Sequence, residues 1–140
     1  MTQEKTEVTA AEISRLVINF TGIDLSSGST VMVGLVNEKL TIGAKSRIQK
    51  IVKLLEAEFK DYLKLHSELL KKHGAIEKEG RLELLEGSTE FSEEFQELLS
   101  QKITLGVFDK IDFKQIENIE TTSNYNLALL SPRFIEGYGD

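Results

Sequence analysis

Residues 45–73 carry a long amphipathic pattern, KSRIQKIVKLLEAEFKDYLKLHSELLKKH. Apolar, aromatic or histidine side chains recur along it in alternating steps of four and three residues. This is the spacing of a coiled-coil seam, in which one helix face packs against another helix. The seam positions are Ile48, Val52, Leu55, Phe59, Tyr62, His66, Leu69 and His73, and Ile51, Leu63 and Leu70 widen the face. The pattern predicts one long helix.

The length of this helix decides how much of it the chain itself can cover. At 1.5 Å per residue, about 29 residues extend roughly 43 Å. A shorter helix is predicted at residues 89–101, where apolar side chains recur with helical spacing from Phe91 to Leu99. It can cover only part of the seam as the second half of a helical hairpin, so we expect another subunit to cover the rest. The predicted oligomer interface consists of Val52, Leu55, Phe59, Tyr62, His66 and Leu69.

The composition is that of a globular protein: 140 residues, 40% hydrophobic and 29% charged. This length favours a single domain spanning residues 1–140. The chain contains no cysteine, which excludes disulfides, thiolate nucleophiles and cysteine-based metal sites. The charged N-terminus does not resemble a signal peptide, and no apolar run approaches the roughly 20 residues that span a bilayer. We therefore expect a cytoplasmic protein that does not act at a membrane.

The charge is unevenly distributed along the chain. Residues 45–72 contain eight basic and four acidic side chains, a net +4, whereas residues 77–140 contain six basic and fourteen acidic ones, a net −8. The total is −6, which makes nucleic acid an unlikely partner. The basic helix and the acidic second half of the chain suggest self-complementarity, within one chain or between subunits. The alternative is that both are solvated faces.

The first 44 residues contain one helix with clear boundaries. Residues 1–8 are interpreted as a disordered leader or an edge strand. Thr9 and Glu12 form a capping-box pattern that predicts a helix over residues 10–20, and Gly22 ends it. The stretch 31–40 fits either a buried strand or a short helix, and Gly34 weakens both interpretations.

The second half of the chain predicts short strands and one further helix. Residues 81–85 are interpreted as a strand, and residues 103–108 and 110–113 as two strands around a tight turn at Asp109. Ser123 is expected to cap a last short helix that holds Leu127, Leu129 and Leu130, and Pro132 to end it. The predicted fold class is therefore α+β, a long helical hairpin with two or three short strands and short terminal helices.

No catalytic, cofactor or metal site is predicted from the sequence. His66 and His73 are seven residues apart, about 10.5 Å along a helix, which is too far for one helix to chelate a single ion. The Gly22–Thr30 loop lacks the spacing and the lysine of a phosphate-binding loop. An anion could still contact backbone amides there, and the residues considered for such contacts are Lys45, Arg47, Ser29 and Thr30. The acidic residues of the 89–101 helix are interpreted as a solvated face, or as a mimic of nucleic-acid phosphates.

Several short sequence segments, taken in their order along the chain, resemble those of a known group of proteins. These are Lys39–Lys45 before the long helix, Leu69–Gly74 at its end, Glu77–Gly80, Glu90–Leu99 and Ile103–Val107. Over roughly residues 35–130 the chain resembles a group of small, uncharacterised proteins of tailed bacteriophages and prophages. The resemblance implies a phage setting and no activity.

Two functional hypotheses follow from this setting. The first is a non-enzymatic protein of virion structure or assembly, located in the cytoplasm of the host bacterium or in the virion, that binds itself and other phage or host proteins. The alternative is a counter-defence protein, either an acidic inhibitor of a host nuclease complex or an oligomeric sponge for a signalling nucleotide.

Overall fold

The computed structural model describes residues 6–84, 89–116, 127–131 and 133–138. Four α-helices are described: α1 (Ala10–Thr21), α2 (Ile42–Lys72), α3 (Thr89–Leu99) and α4 (Leu127–Leu130). The six described strands are β1 (Glu7–Thr9), β2 (Ile76–Lys78), β3 (Arg81–Glu83), β4 (Lys102–Thr104), β5 (Ile111–Asp112) and β6 (Ile135–Glu136). Helices make up about 54% of the structure, and the predicted α+β class is confirmed.

Helix α1 forms where its capping signals place it. The Thr9 backbone N–H donates to Glu12 Oε1 at 3.0 Å, which satisfies one of the free amides at the helix start. The helix ends at Gly22, whose φ of 75° is in the left-handed region, and the Gly22 N–H donates to the Ile18 carbonyl at 2.7 Å. The predicted helix over residues 10–20 is confirmed.

The stretch that the sequence left open, residues 31–40, forms neither a strand nor an α-helix. It contains a short 3₁₀ turn at Leu35–Asn37, and upstream of it Thr30 forms an isolated bridge with Ile23. A Cβ placed on Gly34 would lie 2.5 Å from the Gly22 backbone nitrogen. Gly34 is therefore needed because two segments of backbone cross in contact.

Helix α2 begins three residues earlier than the periodicity predicts. Thr41 caps it, and its hydroxyl accepts a hydrogen bond from the Ala44 N–H at 3.1 Å. The first residue, Ile42, is 88% exposed and lies off the apolar seam, so a pattern of buried positions misses this start. At the other end Gly74 adopts a φ of 82°, which confirms the predicted glycine stop.

The hydrophobic core lies between α1 and the first two thirds of α2. The two helices run antiparallel. Ser14, near the start of α1, lines one cleft together with His66 in the second half of α2, and Thr21, at the end of α1, lines another together with Ile48 in the first half of α2. The C-terminal segment closes the core, with the Phe134 ring 5.6 Å from the Phe20 ring in an edge-to-face contact. The largest fully buried side chains are Phe20, Phe134, Ile13, Leu16, Leu35, Ile48, Ile51, Leu55, Ile111, Ile116, Leu130 and Ile135.

The strands form three two-stranded sheets. β1 pairs antiparallel with β4, β2 pairs antiparallel with β3, and β5 pairs in parallel with β6. The predicted hairpin of residues 103–108 and 110–113 is therefore wrong. Each of these segments pairs with a strand distant in sequence, and such pairing leaves no signal in a local pattern.

The remaining C-terminal predictions are tested only in part. The helix holding Leu127, Leu129 and Leu130 is present as α4. Its predicted cap, Ser123, and its predicted stop, Pro132, lie outside the described residues, as do residues 1–5.

Candidate functional site: a two-helix arm

Beyond Phe59 the chain forms an extension that we call the arm: residues 60–72 of α2, the β2–β3 hairpin and α3. Phe59 is the last buried residue of α2, and no described residue from 60 to 99 is buried. Helix α3 runs back along α2, since Phe91 contacts His73 and Phe95 contacts His66. This confirms the predicted hairpin. Two helices alone cannot enclose their contact surface, so the arm leaves apolar groups accessible to solvent.

Aromatic and histidine rings of α2 and α3 contact one another in a row, which we call the ring ladder: Tyr62, His66, Phe95, Phe91 and His73. The Tyr62 and His66 rings are stacked with centroids 5.9 Å apart, and the His66 ring lies 5.1 Å from Phe95. Phe95 stacks on Phe91 at 5.9 Å, and Phe91 meets His73 edge-to-face at 5.5 Å. Contacts of this kind contribute about 0.5–1.5 kcal/mol beyond area burial. These ring contacts therefore join α3 to the second half of α2.

One ion pair, with a histidine beside it, lies at the outer end of the arm. Lys72 Nζ is 3.0 Å from Glu94 Oε1, and His73 Nε2 is 3.6 Å from Glu94 Oε2. The hydrogen bond from Lys72 is the main cause that lowers the pKa of Glu94. The pair joins the last turn of α2 to α3, and a lysine at that position also interacts favourably with the helix dipole.

A broad groove of about 860 Å³, which we call the leucine groove, runs along the junction of α2 and α3. Its apolar residues are Leu65, Leu69 and Leu98, and its polar residues are Lys72, Glu94, Glu97, Ser100 and Gln101. Leu65 is 44% exposed, which is high for a leucine beside two others. The predicted interface did not include Leu65 or Leu98. Leu98 was predicted only as part of the apolar face of the 89–101 helix, and Leu65 was missed although Leu65, Leu69 and Lys72 follow one another at helical spacing.

A smaller cleft of about 260 Å³, which we call the Tyr62–His66 cleft, lies where the arm meets α1. Ser14 of α1, Ser26 of the following loop and Leu99 of α3 line it together with Tyr62 and His66. Burial raises the pKa of the Tyr62 phenol and lowers the pKa of the His66 imidazole. Both groups are therefore uncharged at neutral pH.

The predicted oligomer interface is divided between the core and the arm. Val52, Leu55 and Phe59 are buried inside the chain's own core, so assigning these three residues to a surface for a second subunit is corrected. The physical reason is that α1 covers the first part of the seam, which the sequence estimate of coverage did not include. Tyr62 and His66 are half-buried in the ring ladder, and Leu69 lies in the leucine groove.

Two of the residues predicted for anion contacts, Arg47 and Ser29, already donate hydrogen bonds to acceptors within the protein. The Arg47 guanidinium donates to the Lys110 carbonyl at 2.9 Å, and Lys45 is exposed on α2. In the loop, the Ser26 N–H donates to the Asp24 carboxylate at 2.9 Å, and the Ser29 N–H donates to the Ser27 hydroxyl at 3.2 Å. Amides that already have acceptors are poor anion donors.

Across residues 6–84, 89–116, 127–131 and 133–138, no three His, Asp or Glu side chains come together in a way that could hold a metal ion. None of the described helices is long and apolar enough to cross a membrane.

Comparison with known protein families, with curated proteins and with solved structures finds no match in any of the three.

Proposed function

We propose that this protein acts without catalysis, by associating with further copies of itself through the leucine groove of the arm. The observation that carries the proposal is the absence of any fully buried side chain among the described residues 60–99, although the same stretch presents three leucines side by side. An apolar surface of this kind on a polar-rimmed groove is typical of a protein interface.

Charge supports a second copy of the chain as the occupant. Lys64 and Lys71 of α2 and Glu93 and Glu97 of α3 are exposed, and none of the four has an ion-pair partner among the described residues. In a two-fold arrangement each surface meets an identical copy, so basic α2 of one subunit can face acidic α3 of the other. The opposite net charges of residues 45–72 and 77–140 favour the same pairing.

The setting we propose is the assembly or structure of a tailed-phage virion, in the cytoplasm of the host bacterium and in the particle. The resemblance of residues 35–130 to small phage and prophage proteins supports this setting. A self-associating protein whose contacts are made by helices suits a repeated position in a particle or an assembly intermediate.

The second candidate is a counter-defence protein, and one observation favours its inhibitor form. Glu90, Glu93 and Glu97 are exposed on α3 and present an acidic helix face to solvent. Such a face can compete with the phosphates of nucleic acid for a basic protein surface. The nucleotide-sponge form has less support, because the Ser26 and Ser29 amides and the Arg47 guanidinium already have protein acceptors.

Mass spectrometry of purified phage particles separates the two candidates. A virion component is expected in washed particles at a fixed ratio to the major capsid protein. An assembly factor is expected in procapsids or tail intermediates, and a counter-defence protein only in early infected cells. Early expression together with absence from particles and assembly intermediates would contradict the virion proposal.

A further inference from the structure

The Tyr62–His66 cleft differs from the leucine groove in its chemistry and in its residues. α1, α2, α3 and the loop after α1 each contribute to its lining, so it is a small cleft that is walled by several elements and open to solvent on one side. We propose that this cleft is a binding site for a small, uncharged aromatic molecule that carries one hydrogen-bonding group. Because the cleft and the leucine groove share no lining residue, failure of either proposal leaves the other standing.

Four polar side chains line the cleft without a hydrogen bond to the described part of the protein. They are those of Ser14, Ser26, Tyr62 and His66, of which Ser26 is exposed and the other three are half-buried. Convergent polar groups on an otherwise apolar wall are the common feature of small-molecule sites. They supply hydroxyl donors and an imidazole that can accept or donate.

The absence of charge in the lining decides the class of ligand. Among the residues that the structure describes, no lysine, arginine, aspartate or glutamate lines the cleft. A charged ligand would lose hydration there without gaining a counter-ion, and that loss is costly. His66 and Tyr62 are themselves uncharged at neutral pH because burial shifts the pKa of each away from neutrality in the required direction.

The size and walls of the cleft favour a single ring system. Its volume of about 260 Å³ is slightly below the range of drug-sized pockets. Phe59, Leu63 and Leu99 provide apolar contacts, and the Tyr62 and His66 rings lie parallel, with 5° between their planes. A flat aromatic molecule can pack on such walls while its polar group reaches a serine or the imidazole.

Titration with two matched probes tests the site by NMR on the isotope-labelled full chain. Benzamide is uncharged and benzoate is its anionic counterpart of nearly the same shape. We expect benzamide to shift the side-chain signals of Tyr62 and His66 saturably, with a midpoint in the low-millimolar range typical of a ligand of about nine non-hydrogen atoms. Benzoate is expected to bind at least about tenfold more weakly.

Two variants keep the test specific. Ala11→Phe places a ring in the mouth of the cleft and is expected to abolish the benzamide shifts, whereas Ala57→Phe, at an exposed position on α2, leaves them unchanged. Tyr62→Phe keeps the ring and removes the hydroxyl, and is expected to weaken binding about fivefold, the effect of one neutral hydrogen bond. The absence of saturable shifts, equal binding of benzoate, or full binding by a folded Ala11→Phe protein would overturn the proposal.

Discussion

For two glycines, the surroundings decide whether replacement by alanine lowers or raises the free energy of unfolding. A Cβ on Gly34 would lie 2.5 Å from the Gly22 nitrogen and the Thr21 carbonyl carbon, both backbone atoms that cannot rotate away. A Cβ on Gly43, in the first turn of α2, meets nothing within 4 Å. We therefore expect Gly34→Ala to lower the free energy of unfolding by about 1–3 kcal/mol. Gly43→Ala should raise it by about 0.5–1 kcal/mol, because glycine is a poor helix former. Urea unfolding measures both, and equal effects would contradict the backbone crossing.

The carboxylate of Glu12 joins α1 to the C-terminal segment through Arg133, and this contact makes the stability of the protein depend on pH. Arg133 Nη2 lies 2.7 Å from Glu12 Oε2, and Arg133 Nη1 also donates to the Glu7 carbonyl at 3.2 Å. The hydrogen bond from Arg133 is the main cause that lowers the pKa of Glu12 in the folded state. The contribution of Glu12 is therefore complete above the pKa of about 4 that the group has in the unfolded chain, and is lost as the pH falls through the lower folded value.

Glu12→Gln tests this linkage while keeping an oxygen for the Thr9 amide. We expect the variant to be about 1 kcal/mol less stable at pH 7, since the pair is partly exposed, and the difference to vanish as the pH approaches about 2. Thermal unfolding across this range is the measurement, with the exposed Glu56→Gln as control. A difference that is independent of pH would contradict the ion pair.

An aromatic ring is expected to contribute less to the free energy of unfolding in the arm than in the core. Phe20 is fully buried, whereas Phe95 of α3 is only half-buried. Phe20→Ala is expected to cost about 3–5 kcal/mol, the usual range for a buried aromatic ring. We expect Phe95→Ala to cost less than half as much, because water already reaches part of its surface. Chemical denaturation of both variants checks this. If Phe20→Ala and Phe95→Ala lowered the free energy of unfolding equally, the conclusion that the arm has no core of its own would be contradicted.

The elements that sequence reasoning predicted are those with local signals. Thr9 with Glu12, Gly22 and Gly74 mark helix ends through hydrogen bonds within a few residues, and the apolar spacing marks α2 and α3. The pairing of β1 with β4 spans almost 100 residues, from Val8 to Ile103. The sequence of neither segment indicates which strand it pairs with. The backbone crossing at Gly34 depends on tertiary contact in the same way, so residues 31–40 could not be assigned from their composition.

For the molecule as a whole, the seam of α2 was predicted correctly but its partners only in part. The spacing from Ile48 to Leu69 shows which face of the helix is apolar, and does not show which helix covers each section of it. α1 covers the section up to Phe59 and α3 only partly covers the rest. The Tyr62–His66 cleft was not predicted from the sequence, since Ser14 and Ser26 reach it only through the fold.

The central claim is that the leucine groove joins copies of the chain, and sedimentation velocity of a matched pair of variants tests it most directly. Leu65 is 44% exposed in the groove and Val107 is 71% exposed outside it, so Lys can replace either without entering the core. We predict that the wild type and Val107→Lys sediment as dimers or larger species at about 50 µM, a concentration that populates complexes of micromolar affinity. Leu65→Lys is predicted to sediment as a folded monomer under the same conditions. A monomeric wild type, or a Leu65→Lys protein that associates as the wild type does, would contradict the account.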